Sequence, residues 1–523
     1  MVELRPKIPF YRGYTHAEIQ LIGKTTFSTA VGDWCRSTLY EKEYIPTGKR
    51  WNKELKRLVF EYAHWEYKRF YGKYNTDLQR LIIPICYAND VQKLLEDFGC
   101  VIENLRLPDY ELRKIDVKMN SKFTDRPHQV RLIEKCSERV PGMKGLAMQT
   151  GKGKTYCATK SWVNLGYAGI VIVGGLTDQW MDSIREQTDI TSDEIYKIEG
   201  FDSLAKLAQH PEYKPAMFVA SHRTMQIFCN GDNDYDLLPW TFSKFFQTYG
   251  IGVKIVDECH LKFHANTMMD LALNVPYDLY CSATFTQNER VARQIFKRVF
   301  PESIQYGMDA YDRYVSTFVY HYYGEVREER CCRKKGYMHA LYEKELLISE
   351  QKCNYHIQTI FVPIINAHFI NRRKEGAGHK MLIICSTIEF INKVVKQLRK
   401  LYPDLSINEY IGGSENDILK KSDIIVSNPG KSGTGLDLRG LITLYNTVSV
   451  ASAPLIEQVF GRLRRADGIE MHYIDKCDDC ISRQVAHAEE RFSILKRLSR
   501  VYREFRGMDD TEGIVVNNAP AGS

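Results

Sequence analysis

The chain has 523 residues, 44% hydrophobic and 26% charged, enough for about three folded units at ~150 residues each. Seventy-two basic residues against 65 acidic ones leave a net charge of +7 and a pI near 8.5, a tilt that suits a polyanionic partner without demonstrating one. Fourteen cysteines in no regular framework and an N-terminus without an apolar leader argue against a secreted disulfide scaffold, so free thiols in a reducing, cytoplasmic setting are expected. The most apolar stretch, 357–370, is broken by Gln358, Pro363, Asn366 and His368, which argues against a membrane span.

Residues 1–118 read as a small α+β accessory domain. From Trp51 the apolar residues Leu55, Leu58, Tyr62 and Trp65 recur at a spacing that predicts an amphipathic helix. Lys49, Arg50, Lys53, Lys56, Arg57, Lys68 and Arg69 interleave with Phe60, Tyr67, Phe70 and Tyr71. Such a surface would stack bases and track phosphates; a small core with a solvated basic face is the plainer alternative. The runs 79–87 and 99–107 are expected as strands of the same unit.

After residue 118 buried-strand patterns alternate with helical ones. Strands are expected at 145–147, 168–173, 216–220, 251–256 and 279–282, with helices at 178–186 and 289–300. A second series of strands falls at 315–320, 381–385, 423–426, 441–448 and 471–474, with long helices at 337–370 and 482–505. Alternation of this kind predicts two mostly parallel α/β units, 119–305 and 306–506, followed by a flexible tail at 507–523.

Within the first unit, Thr150-Gly151-Lys152-Gly153-Lys154-Thr155 stands between a strand and a helix. Glycines there let backbone N–H groups approach phosphates, the helix dipole favours anions, and a lysine reaches the terminal phosphates. The general pattern wants glycine where this chain has Met148, and a turn that binds nothing is the bland alternative. Further on, Asp257 and Glu258 end a buried strand at the carboxyl edge of the sheet, where open α/β folds bind ligands. An acidic pair in that place suits a metal and an attacking water. Cys477 and Cys480 have the gap of a metal half-site but no clear second pair.

With the Asp257-Glu258-Cys259-His260 box behind this loop, the chain resembles superfamily 2 DExH-box helicases. Phe123, Arg126 and Gln129 resemble the adenine-reading motif. Gln179 lies in a stretch like the one that contacts the nucleic-acid backbone, and Ser221 with Thr224 resembles the next strand-contacting element. Ser282-Ala283-Thr284 matches the motif that links hydrolysis to domain movement. In the second unit, Ser386-Thr387 and Gly433-Thr434-Gly435-Leu436-Asp437 resemble motifs that touch the polymer and, for Gly435 and Asp437, the nucleotide. Gln458-Val459-Phe460-Gly461-Arg462-Leu463-Arg464-Arg465 fits the family's Gln-x-x-Gly-Arg-x-x-Arg pattern. UvsW-type branch-migration helicases of phages and the poxvirus transcript-release helicase are the most similar in flavour.

The resemblance implies two tandem RecA-like domains of the P-loop NTPase type and an ATP-dependent DNA helicase or translocase acting on branched DNA. It implies ATP and Mg²⁺, held by Lys154, Thr155 and Asp257, with Glu258 activating water and Arg462 and Arg465 as arginine fingers. His260, Ser282, Thr284 and Gln458 would couple the nucleotide and polymer sites. Single-stranded, duplex or branched DNA is the expected partner, RNA an alternative, and a monomer the simplest assembly. A duplex translocase that displaces transcripts or proteins, and a non-catalytic nucleic-acid binder, are the rival readings.

Overall fold

The computed structural model describes residues 5–518 apart from 22, 24, 53–56, 150, 175–176, 284, 286, 288–289, 308–312, 334–335, 375, 413, 415–416, 433–437, 450–452, 466–467 and 511. For residues 42–52, 57–67, 233, 290, 333, 336, 431–432, 453–455, 458 and 516–518, only the backbone is described. The chain divides into two compact units, Met1–Met148 with Gly153–Met308, and Gln149–Lys152 with Asp309–Ser523.

The first unit begins with a five-stranded mixed sheet in the order Lys73–Asn75, Arg80–Pro84, His16–Gln20, Lys7–Arg12, Val101–Arg106. Helices Thr26–Thr38 and Ala88–Asp97 accompany it. The helix expected from Trp51 is not formed: Tyr40–Asn52 and Arg57–Phe70 pair as a long antiparallel hairpin. Leu58, Phe60 and Tyr62 also recur with a period of two, and the aromatic rings of Phe60 and Tyr62 favour a strand.

Seven parallel strands follow: β1 (Gly142–Ala147), β2 (Gly169–Val173), β3 (Ile195–Ile198), β4 (Met217–Ser221), β5 (Val253–Asp257), β6 (Tyr277–Ser282) and β7 (Gln305–Gly307). Their order is β3-β4-β2-β5-β6-β1-β7, every pairing parallel. Gly-Ile-Val-Ile-Val of β2 is buried throughout, as a strand covered on both faces must be. Helices close on left-handed glycines, among them Gly166, Gly231 and Gly250.

The accessory sheet shares a core with this one. Phe10, Ile19, Val31, Ile83 and Leu95 lie in one buried cluster with Val256, Cys259, Phe263, Phe296 and Phe300. Polar contacts fix the same junction: Thr15 Oγ1 donates to the carbonyls of Asp270 (2.9 Å) and Leu273 (2.8 Å), and the Tyr14 N–H donates to Asn274 Oδ1 (2.8 Å). Beneath it Lys254 is buried with Asp270 and with Asp278 (3.1 Å), and Tyr280 donates to Asp270 (2.6 Å). Burial drives the Asp278 carboxyl up to about 7 against the pull of Lys254.

The second unit carries β8 (Val315–Tyr322), β9 (Lys380–Ile384), β10 (Ile407–Tyr410), β11 (Ile424–Ser427), β12 (Leu441–Asn446), β13 (Met471–Asp478), β14 (Val501–Arg506) and β15 (Ile514–Asn518). They are ordered β10-β11-β9-β12-β13-β8-β14-β15, parallel except for the last pair. The helix expected to reach 505 ends at Leu498, because Val501–Arg506 is a strand beside β8. Part of the expected flexible tail, 514–518, pairs antiparallel with β14, whose outer edge it covers. The helical stretch expected at 337–370 starts at His339 and is interrupted at Ser349, whose hydroxyl caps the helix Glu350–His356. The architecture is therefore two tandem parallel α/β domains of the RecA-like, P-loop type, preceded by a small α+β domain.

Candidate nucleotide site at the edge of the first sheet

β1 runs into the glycine turn, and helix Lys154–Leu165 leaves it. Gly151 and Gly153 have φ of +82° and +92°, a left-handed backbone that side chains other than glycine rarely adopt. At Gly153 a Cβ would also come within 2.3 Å of the Gln129 side-chain nitrogen, so the residue is constrained by conformation and by space. Met148, which replaces the first glycine of the general pattern, is fully buried, and its N–H donates to the Ser282 carbonyl (3.1 Å).

Lys154 Nζ lies 3.0 Å from Asp257 Oδ1 and is bonded to Glu258 Oε1. Burial disfavours its charge, but the two carboxylates overcome this and hold its pKa above the ordinary lysine value. Glu258 sits at φ +48°, a left-handed conformation unusual outside glycine that costs about 1–3 kcal/mol. Its N–H donates to Asp257 Oδ1 (3.0 Å), and its carbonyl accepts from the Leu261 N–H (2.9 Å). The strained turn aims both carboxylates of the pair at one ammonium.

Four further side chains, Trp180, Asp125, Tyr156 and Lys160, were not among the expected site residues. Trp180, buried on the helix Thr177–Gln187, donates Nε1–H to Asp257 Oδ2 at 3.0 Å. Asp125 accepts from Tyr156 (2.8 Å) and Lys160 (2.6 Å), both on the helix after the glycine turn. Burial raises the Asp125 pKa, and these two bonds bring it below the usual carboxylate value. Asp125 thereby ties the segment bearing Phe123, Arg126 and Gln129 to helix Lys154–Leu165. Phe123 lies 6.1 Å from the Tyr156 ring, and Gln129 Oε1 accepts from the Arg126 N–H (2.9 Å).

His260 Nδ1 lies 2.7 Å from Ser282 Oγ and 3.5 Å from Glu258 Oε2, so two residues expected to act in coupling are brought together. Its Nε2 has no hydrogen-bond partner among the described residues. Burial and the nearby Lys154 push its pKa down to about 4, which keeps the imidazole neutral. Gln287 donates to the His260 carbonyl.

Other expected contact residues are arranged less simply. Gln179 is exposed in the first turn of its helix, just beyond β2. Ser221 caps the helix His222–Asn230, its Oγ accepting from the Thr224 N–H (3.2 Å); the Thr224 hydroxyl is buried and accepts from the Gly200 N–H (2.8 Å). Thr224 is thus the residue whose N–H is capped, and its own hydroxyl is turned inward. Thr387 is buried likewise, and donates to Glu343 Oε2 (2.7 Å). Arg462 is half-buried and Arg465 exposed, both beyond the C-terminus of helix Ala453–Phe460. That helix includes Gln458, whose side chain lies outside the described residues. Thr150, Thr284, Gly433, Thr434, Gly435 and Asp437 also lie outside them. Cys477 Sγ groups with His321 and Asp479, all within 4.8 Å, while exposed Cys480 is not part of that group.

An all-parallel sheet whose edge presents a left-handed glycine turn, a lysine and a carboxylate pair defines a P-loop fold able to neutralise a polyanion and orient a water beside it. No family model matches the chain, and no curated protein sequence does. Among solved structures it is similar to S. cerevisiae Dbp5 bound to RNA and ADP BeF3, at 13% identity over 74% of this chain and 91% of that one, with a TM-score of 0.49. T4 UvsW matches at 14% identity over 95% of this chain and 99% of its own, TM-score 0.34. The ATP-dependent Type ISP restriction-modification enzyme LlaBIII bound to DNA matches at 14% over 72% of this chain and 30% of its own, TM-score 0.48. These likenesses are distant. No helix among the described residues is long and apolar enough to cross a membrane.

Proposed function

We propose that the chain is an ATP-dependent DNA helicase or translocase that remodels branched DNA, in the manner of superfamily 2 DExH-box enzymes. The observation that carries the reading is the Lys154 ammonium held between Asp257 and Glu258 behind a left-handed glycine turn. Such a lysine exchanges carboxylates for phosphates when a nucleoside triphosphate enters.

Lys154 would then bind the β- and γ-phosphates, and the amides of the turn would cradle them. The ammonium now lying between the two carboxylates occupies a place suited to a cation, so the residues fit Mg²⁺, which Asp257 and Thr155 would hold. Mg²⁺ supplies charge neutralisation between the phosphates when bound. Trp180 fixes the Asp257 carboxylate. Glu258, freed from Lys154, accepts a proton from the attacking water, and neutral His260 links it to Ser282. Gln129, Arg126 and Phe123 read the adenine.

Arg462 and Arg465 would stabilise charge on the transferred phosphate, and Gly435 and Asp437 would meet the nucleotide. Gln179, Ser221, Ser386, Gly433 and Thr434 would contact the polymer through its phosphates, which implies weak sequence preference and strong salt dependence. Residues 1–118 would add affinity for branched DNA through the basic hairpin. The test is ATP hydrolysis with single-stranded, duplex, forked and RNA–DNA hybrid substrates. Stimulation is expected to be largest with forked DNA; a rate indifferent to every nucleic acid would overturn the reading.

A further inference from the structure

Helix His339–Leu347 of the second unit carries two buried polar residues one turn apart, His339 and Glu343. Glu343 accepts three hydrogen bonds from a single loop. The N–H groups of Ser386 and Thr387 donate to its two oxygens at 2.6 Å each, and the Thr387 hydroxyl donates at 2.7 Å. That loop starts helix Ile388–Leu401, for which Thr387 is the N-cap. The carboxylate therefore fills the anion site that a helix N-terminus offers, and a polymer phosphate is not what these two amides hold.

His339 faces another segment. Its Nδ1 accepts from the Ser449 N–H (3.3 Å), just after β12 and a few residues before the helix that leads to Arg462 and Arg465. Its Nε2 points toward Glu343 Oε1 at 3.7 Å. The Ser449 hydroxyl in turn meets Arg491, which forms a two-pronged pair with Asp475 (2.9 and 2.8 Å). Asp475 also accepts from Asn446 at the end of β12 (3.2 Å). One helix thus grips both the Ser386–Thr387 loop and the start of the arginine-bearing segment, inside a sealed core.

We propose that helix His339–Leu347 is a strut that transmits polymer engagement at the Ser386–Thr387 loop to the arginine motif, with Glu343 as the positioning residue. The proposal rests on the helicase reading. A displaced loop would carry Glu343 with it, because three short hydrogen bonds of 2.6, 2.6 and 2.7 Å join the two. The helix then carries His339, and with it Ser449.

The experiment compares ATPase rates of the full chain with and without forked DNA in wild type, Glu343→Gln and His339→Gln. A neutral amide offers one acceptor oxygen where the loop needs two. Glu343→Gln is expected to keep the basal rate within about twofold while the ratio of stimulated to basal rate falls about tenfold. A midpoint of thermal unfolding within a few degrees of wild type accompanies this. His339→Gln, which acts through the other end of the strut, is expected to lose stimulation in the same way, and serves should Glu343→Gln fail to fold. Full stimulation in either folded variant overturns the strut and leaves the helicase reading standing. Basal and stimulated rates that fall in parallel also overturn it, since that marks general damage. A wild type that no nucleic acid stimulates overturns both.

Discussion

At the edge of the first sheet, the side chains of Lys154, Asp257 and Glu258 keep 12%, 14% and 29% of their exposure, whereas Arg491 and Asp475 in the second unit keep 0% and 1%. Around the sealed pair the second unit also buries Glu343, His339, His356 and Lys476. Lys476 Nζ lies 3.1 Å from the Tyr322 hydroxyl and 3.2 Å from His356 Nε2, and burial brings its pKa down to about 8. The two regions put charge to different uses. Ions that water can still reach are available to exchange partners with a ligand. Ions walled off from it have found permanent partners, and losing one leaves the other stranded in a medium that solvates it poorly.

Lys154→Ala should show the largest effect, a loss of at least about 10² to 10³ in ATP turnover with nucleic-acid binding kept, as read by hydrolysis and by filter binding. Its thermal midpoint should move little, because Asp257 and Glu258 gain water when the ammonium goes. An inactive variant that is also unfolded would erase the contrast between the two regions. Arg491→Met reverses the pattern. Stranding Asp475 should lower the unfolding free energy by about 3–5 kcal/mol in denaturant titration. A variant as stable as wild type would show that the sealed pair is no more than a spectator.

Trp180→Phe sharpens the comparison from the exposed side. It keeps most of the ring and removes one hydrogen bond to a charged acceptor, worth about 1.5–3 kcal/mol. Turnover should fall about tenfold or somewhat more, with little change in the unfolding midpoint. An unaltered rate would remove Trp180 from the set that orients Asp257.

The gentlest probe is pH. His339, His356 and His368 are held well below the ordinary histidine value by burial first, aided by Lys476 for the first two and by His472 for the third. The unfolded chain takes up these protons below about pH 6.5 while the folded one does not, so stability is present above that pH and declines as pH falls. The slope is about 1.4 kcal/mol per pH unit for each such proton. Glu343 opposes this: burial lifts its pKa to about 7, so between there and its ordinary value the folded state holds the extra proton. In the first unit His260, at about 4, and His222 and His264, both lowered by burial, act in the first sense, and Asp278, at about 7, in the second. All six tryptophans precede residue 309, so fluorescence follows the first unit and far-ultraviolet circular dichroism follows both. On acidification from pH 7 to 5, loss of dichroism should begin before the fluorescence changes; the reverse order would contradict a second unit loaded with neutral histidines.

The glycine turn, the acidic box and the two parallel sheets were legible in the sequence because each is local. A glycine turn between strand and helix, a carboxylate pair ending a strand, and runs of β-branched residues all declare themselves within about ten positions. The hairpin at 40–70 was not: its aromatics fit periods of 3.6 and 2 alike, and pairing across the turn selected the second. The strand Val501–Arg506 was hidden for a related reason, since it continues the charged pattern of the helix before it and becomes a strand only where β8 offers an edge.

By itself, then, the sequence determined the kind of fold and where the glycine turn and the acidic pair fall along it, because backbone conformation and side-chain type are properties of neighbours in the chain. Only the tertiary structure decided that Trp180 holds Asp257, that Asp125 ties Gln129 to the loop helix, and that Glu343 grips Ser386 and Thr387. Each of these joins residues more than thirty positions apart. A hydrogen bond across such a distance has no local signature, because its partners meet only after hydrophobic burial has packed the elements that bear them.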